Sequence, residues 1–199
     1  MNFIIIITIV IAFICGSIPT GYLITKKICG IDIRTKDSGN IGSTNVKRIV
    51  GAKISIITQI IDILKGVVPV FLAINLIKMI KLPISNNAYL SIIAIVVILG
   101  HDYTPFLKFN GGKGVNTTIG AFILLAPAAT LIGVAVHFIF RSFTDIVSIR
   151  SIALGVTIPI ICIIMKLPIE VIISTTVACI LMIFRHKSNL IRLINKEER

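Results

Sequence analysis

The sequence predicts an all-α polytopic membrane protein of about seven transmembrane segments, with the N-terminus outside and the C-terminus cytoplasmic. Three observations predict it. The chain has 199 residues, 56% of them hydrophobic, and its mean hydropathy is +1.03. Its apolar residues are gathered into runs long enough to cross a bilayer or close to that length. Its net charge of +12 lies almost wholly between those runs, where it acts on lipid headgroups, topology and anionic solutes rather than marking a nucleic-acid binder.

The apolar runs are Phe3 to Ile24, Ile54 to Ile77, Ala88 to Gly100, Val115 to Phe140, Ile152 to Met165 and Ile169 to Phe184. The first lacks a basic n-region and an evident small-x-small cleavage site, so it reads as a retained helix rather than a signal peptide. Lys and Arg bias loops toward the cytoplasm. Lys26, Lys27, Arg34, Lys36, Lys47, Arg48 and Lys53 follow the first run, Lys108 and Lys113 the third, and Arg185, Lys187, Arg192, Lys196 and Arg199 the last. The opposite loops carry only Lys78, Lys81 and Lys166.

Parity then fails at one place. Lys113 and Arg141 bracket a single apolar stretch, yet both read as cytoplasmic, as does Arg150. Ala126–Pro127 lies near its middle, and proline breaks the helical ladder. Two segments of about 13 residues between Val115 and Phe140, each rising about 20 Å, restore the parity and bring the total to seven. The alternative is six spans with Arg141 outside.

Three polar stretches sit at the ends of the runs. The first, Ser38 to Arg48, is rich in Ser, Thr, Asn and Gly and ends in a basic pair. Glycines let backbone amides approach an anion, Ser, Thr and Asn donate to it or cap a helix, and Arg grips it with two N–H groups. The second, His101 to Thr118, contains Gly111-Gly112-Lys113-Gly114. It is not a Walker A loop, because Gly rather than Ser or Thr follows Lys113. It also lacks a His-x-x-x-x-Asp pair, since Asp102 directly follows His101. The third, Arg185 to Arg192, places His186 and Asn189 three apart on a helix. Arg185 and Arg192 read as anchors in an anionic leaflet, and His137 as a packed core histidine. Asp62 and Lys65, three apart inside a span, suit either a structural ion pair or a role beside the site. The four cysteines are scattered without a C-x-x-C, and no metal or cofactor is implied.

Together the three stretches resemble the acyl-phosphate:glycerol-3-phosphate acyltransferases, small integral membrane enzymes of bacterial phospholipid synthesis, whose motifs are similar to S-G-N-P-G-A-T-N-V-x-R, G-H-x-F-P-x-F-x-x-F-x-G-G-K-G-V-A-T and R-H-x-x-N-I-x-R-L. Ser38 to Arg48, Gly100 to Thr117 and Arg185 to Leu193 match in order. The departures are Ile41 for Pro, Ser43 and Asn116 for Ala, a proline shifted by one at Thr104–Pro105, and Leu190 for Ile. In the middle loop the family's R-Y-V-S-L-x-S sets Asp145 at the first serine and Ser148 at the second, with Thr144 as the other hydroxyl to consider.

The resemblance implies one integral membrane acyltransferase domain over 1–199, taking acyl phosphate and glycerol 3-phosphate as substrates. It implies transfer to the sn-1 hydroxyl, giving 1-acyl-glycerol 3-phosphate and phosphate. It assigns Ser38, Arg48, Lys113, His186 and Asn189 to catalysis. Asn40, Gly42, Thr44, Asn45, His101, Gly111, Gly112, Gly114 and Ser148 would bind substrate, the 111–114 amides among them. No nucleophile–base pair is evident, so direct attack on the already activated donor is the simpler course. The expected setting is the cell membrane, as a monomer with the site facing the cytoplasm. The competing class is a transporter or channel for an anionic solute, against which stand the one-sided motifs and the absence of a visible inverted repeat.

Overall fold

The structure, a computed structural model, describes residues 2–198. Met1 and Arg199, the latter one of the charges used for topology, lie outside the described residues. Among those described there are only helices: α1 (Asn2–Ser17), α2 (Thr20–Cys29), α3 (Ser43–Val50), α4 (Ala52–Met79), α5 (Asn86–Asp102), α6 (Val115–Phe122), α7 (Pro127–Ile139), α8 (Val147–Ile164), α9 (Ile169–Arg185) and α10 (Lys187–Ile194), with three short 3₁₀ turns.

Four helical runs are long and apolar enough to cross a membrane: Phe3–Cys29, Ala52–Met79, Asn86–Leu107 and Val147–Ile164. The α9–α10 pair, bent by 52°, makes a fifth if it is counted as one span. The break foreseen near Ala126 is present, because α6 ends at Phe122 and α7 starts at Pro127. The segments on either side are unequal: α6 has 8 residues and α7 has 13. At 1.5 Å per residue α6 rises only about 12 Å.

The outer surface inverts the pattern of a soluble protein. Phe71, Leu131, Phe138, Ile163, Ile173, Ile180 and many others are exposed, forming an apolar collar suited to lipid. Polar side chains turn inward. The hydroxyl of Tyr89 on α5 donates to Thr8 Oγ1 on α1 at 2.8 Å, and that of Ser174 on α9 to Ser91 Oγ on α5 at 3.2 Å. Such bonds and small residues hold helices together where lipid supplies no hydrophobic drive. A Cβ on Gly120 would stand 2.0 Å from the Ile63 carbonyl oxygen, and one on Gly16 2.0 Å from that of Val97. Glycine therefore sets the close crossings of α6 on α4 and of α1 on α5.

The first apolar run is broken at Ile18–Pro19, where proline removes a helical donor. The freed carbonyls are answered from other helices. Thr104 Oγ1 donates to Ser17 O at 2.6 Å, and Lys65 Nζ donates to Ile18 O at 2.9 Å. Irregular backbone at this depth persists when its polar groups are satisfied inside the protein. Lys65 also pairs with Asp62 at 3.0 Å, both buried, and Asp62 borders the cavity described below, so the ion pair stands beside the site.

Candidate active site

The first motif forms a loop that enters α3. Asn45 is buried, and its Nδ2 donates to the carbonyls of Ile33, Lys36 and Asn40 at 3.3, 3.2 and 2.8 Å. Asn40 Oδ1 accepts from Gly42 N at 2.8 Å. Ile33, Ile41, Val46 and Leu107 make a small apolar core beneath the loop. Asn45 and the Gly42 amide, expected to bind substrate, are therefore engaged in shaping the loop, although both residues border the cavity. Arg48 Nη1 lies 2.7 Å from Asp37 Oδ2.

The second motif turns tightly at the end of α5. Gly111 N donates to Asp102 O at 3.2 Å and Gly112 N to His101 O at 3.0 Å. These amides satisfy carbonyls at the C-terminus of α5 that the helix leaves open. These two amides, expected to bind substrate, are thus engaged within the protein. A Cβ on Gly112 would stand 2.0 Å from His101 Nε2, so only glycine lets the loop lie on the imidazole. Gly114, at φ +73, turns the chain into α6 and borders the cavity.

The third motif holds the second in place. Arg185 Nε and Nη2 donate to the carbonyls of Gly112 and Gly111 at 2.9 and 3.1 Å, and its guanidinium lies 4.9 Å from the Tyr103 ring centroid. Arg185 thus clamps the glycine loop rather than serving only as a lipid anchor. At the bend between α9 and α10, His186 Nδ1 lies 2.8 Å from Met182 O. One turn on, Asn189 Oδ1 accepts from Lys113 Nζ at 2.5 Å. The Asn189 Nδ2 donates to Glu198 Oε1, Ser148 Oγ donates to the same oxygen at 3.3 Å, and Arg192 Nε donates to Glu198 Oε2 at 2.8 Å.

These elements surround one cavity of about 420 Å³. Of the residues assigned to catalysis, Ser38, Arg48, Lys113, His186 and Asn189 all line it. Asn40, Gly42, Thr44, Asn45, His101, Gly114 and Ser148 do so as well. Gly111 faces a second, more superficial hollow with Arg34 and Arg185, and Gly112 borders neither. In the middle loop the geometry separates the candidates. Ser148, on the first turn of α8, reaches the cavity. Thr144 Oγ1 instead accepts from Ile146 N at 3.1 Å, and Asp145 O accepts from Arg150 Nη2 at 3.3 Å.

The wall includes residues to which sequence reasoning gave no site role. Arg192, on α10, reads in the sequence only as a lipid anchor. Glu198 was hidden because a turn at Lys196, with φ +59, precedes it and no glycine marks that turn. His137 is half-buried on the cavity wall rather than packed in the core. Asn116 Nδ2 donates to Ser43 Oγ at 3.3 Å, joining the first turns of α6 and α3. Those two turns face the same cavity. The N–H groups of Asn45 and Val46 are taken by Gly42 O and that of Thr118 by Gly114 O, and helix starts with cations nearby suit an anion.

The electrostatics agree. Burial pushes the Lys113 ammonium down to about 8, against the pull of the Glu198 carboxylate. The hydrogen bond from Arg48 holds the Asp37 carboxyl below its usual range. Burial would raise the Glu198 carboxyl, but the bonds from Asn189 and Arg192 bring it below its ordinary value.

Fold and site define a polytopic helical membrane protein with a polar cleft at its helix ends, where Arg48, Lys113 and Arg192 stand among four carboxylates. The profile of the glycerol-3-phosphate acyltransferase family matches residues 6–196. A glycerol-3-phosphate acyltransferase of Clostridium acetobutylicum is 67% identical over 196 residues, covering 98% of this chain and 99% of that protein. One from Clostridioides difficile is 36% identical over 195 residues, covering 98% and 94%. Among solved structures, the integral membrane glycerol 3-phosphate acyltransferase PlsY (YgiH) in its glycerol 3-phosphate form superposes with a TM-score of 0.89 at 30% identity, covering 98% of this chain and 94% of that one. Its lysophosphatidic acid form gives 0.85 at 29%. The chain belongs to the glycerol-3-phosphate acyltransferase family. It is an integral membrane acyltransferase, and the transporter reading is not favoured.

Proposed function

We propose that this enzyme moves a fatty acyl group from acyl phosphate to the sn-1 hydroxyl of glycerol 3-phosphate, at the cytoplasmic face of the cell membrane. The observation that carries this reading is the convergence of Ser38, Arg48, Lys113, His186 and Asn189 on one cavity. Both substrates bring a phosphate, and the cavity gathers the cations and helix termini that two anions need. The acceptor oxygen forms a bond to the acyl carbon while the bond from that carbon to the donor's phosphate oxygen breaks. Phosphate leaves with the electron pair, and the acceptor's own phosphate takes the hydroxyl proton.

Arg48 and Lys113 bear the phosphate charge, and Ser38, Asn40 and Thr44 add hydrogen bonds. His186 and Asn189 orient the acceptor. Asn189 is itself set by Lys113 on one side and Glu198 on the other. The rate gain then comes from positioning and from preorganised charge. A monomer of one domain suffices, crossing the membrane in seven segments, with the α6–α7 pair entering and returning and the N-terminus outside.

The test is purified protein in detergent with acyl phosphate and glycerol 3-phosphate, following phosphate release. Release should depend on the acceptor. Release that proceeds equally without glycerol 3-phosphate would sink the reading.

A further inference from the structure

Four carboxylates border the cavity: Asp37, Asp62, Glu197 and Glu198. Asp37 is bonded to Arg48. Its backbone has φ +46, in the left-handed region, which Asp tolerates better than most residues but not without cost. Its carboxylate lies 2.7 Å from Arg48 Nη1, with both side chains partly open to solvent. Arg48 is the guanidinium assigned above to a substrate phosphate. A phosphate that takes Nη1 as one of its two donors has to displace the Asp37 carboxylate from it. A dianion placed beside Asp37 also meets like-charge repulsion.

We propose that Asp37 is a built-in competitor for Arg48: its carboxylate holds the guanidinium at the cavity mouth and must yield it to the phosphate of an incoming substrate. This rests on the cavity being the phosphate site of the reaction proposed above. Asp37 then sets affinity rather than chemistry. It weakens binding of every phosphorylated ligand, and it takes the guanidinium back when a phosphorylated product leaves. Two more acids on the wall are engaged elsewhere: Glu198 with Asn189, Ser148 and Arg192, and Asp62 with Lys65.

The experiment measures Kd for glycerol 3-phosphate by calorimetry in detergent, so that inactive variants are still informative. It uses wild type, Asp37→Asn, Asp37→Glu, Arg48→Ala and the Asp37→Asn/Arg48→Ala double variant. Asn keeps the shape of Asp37 and tolerates the left-handed backbone. Asp37→Asn should tighten binding about three- to tenfold at low ionic strength, the range of a partly exposed charged pair. The gain should shrink as salt is added. Inorganic phosphate should inhibit this variant more strongly by a similar factor. Asp37→Glu should bind no more tightly than wild type, since the charge remains. The gain should disappear in the Arg48→Ala background.

Unchanged or weaker binding by Asp37→Asn overturns the proposal while leaving the site reading intact, provided Arg48→Ala weakens binding. A gain that survives in the double variant also overturns it, because the pair would then not be its source. If Arg48→Ala binds and turns over normally, the site reading fails and the proposal with it.

Discussion

In the proposed reaction Lys113 bears phosphate charge, and its burial makes that charge sensitive to pH. Its ammonium titrates near 8, so it is charged at neutrality and loses its proton as pH rises. We expect kcat/KM to fall on an alkaline limb centred near pH 8 in a pH–rate profile. The ordinary lysine value would place that limb more than two units higher. Lys113→Ala should lower kcat by about a hundredfold or more, as for loss of one strong electrostatic donor. Near-normal turnover in folded variant protein would show that the assignment is wrong. Glu198→Ala should lower kcat/KM about ten- to hundredfold, since removing one partner from a charge-assisted network costs about 1.5–3 kcal/mol. The sequence pointed to Arg48 and Lys113, because cations in short polar stretches between apolar runs leave few places to go, but not to Arg192, Glu198 or Asp37. It could not reveal that the amides of Gly111 and Gly112 close α5, or that Asn45 staples its own loop. Those facts depend on where neighbouring carbonyls fall after folding.

Among the helices, α6 is one of the three shortest, with eight residues like α3 and α10, and it helps to build the cavity. α6 presents its first turn to the cavity and lies on α4 through Gly120, where a Cβ would meet the Ile63 carbonyl at 2.0 Å. Backbone cannot yield as a side-chain tip can, so Gly120→Ala should push α6 off α4. Overpacking of this kind costs about 1–3 kcal/mol. The expected outcome is a lower unfolding temperature in detergent together with reduced activity. Gly133→Ala, whose Cβ would first meet the Ile158 side chain at 3.0 Å, should be milder. The break before Pro127 was legible because proline and charge parity pointed to the same residue. The unequal lengths of α6 and α7 were not, since the chain stays apolar on both sides of the turn. The bend at His186 was equally hidden, because neither glycine nor proline marks it.

At the scale of the whole molecule, the proposed topology places Lys36 on the cytoplasmic side and Lys81 on the other. Single-cysteine variants at these positions, with Cys15, Cys29, Cys162 and Cys179 replaced, can be labelled with an impermeant maleimide. In right-side-out vesicles Lys81→Cys should react and Lys36→Cys should not, and inverted vesicles should reverse the result. The same label on both positions from one side contradicts the seven-segment arrangement. Charge bias was legible because it is written in loops, whereas the inward polar contacts between Tyr89 and Thr8 or Ser174 and Ser91 are not. The apolar collar has one more consequence. Wrapped by Phe71, Phe138, Ile163 and their like, the cleft would, in the proposed reaction, be supplied with its fatty donor from within a two-dimensional fluid. Its saturation should therefore follow the donor's mole fraction among lipids or detergent, not its concentration in the tube. Adding inert micelles at constant total donor should slow the enzyme by surface dilution, while the water-soluble acceptor's KM stays as it was.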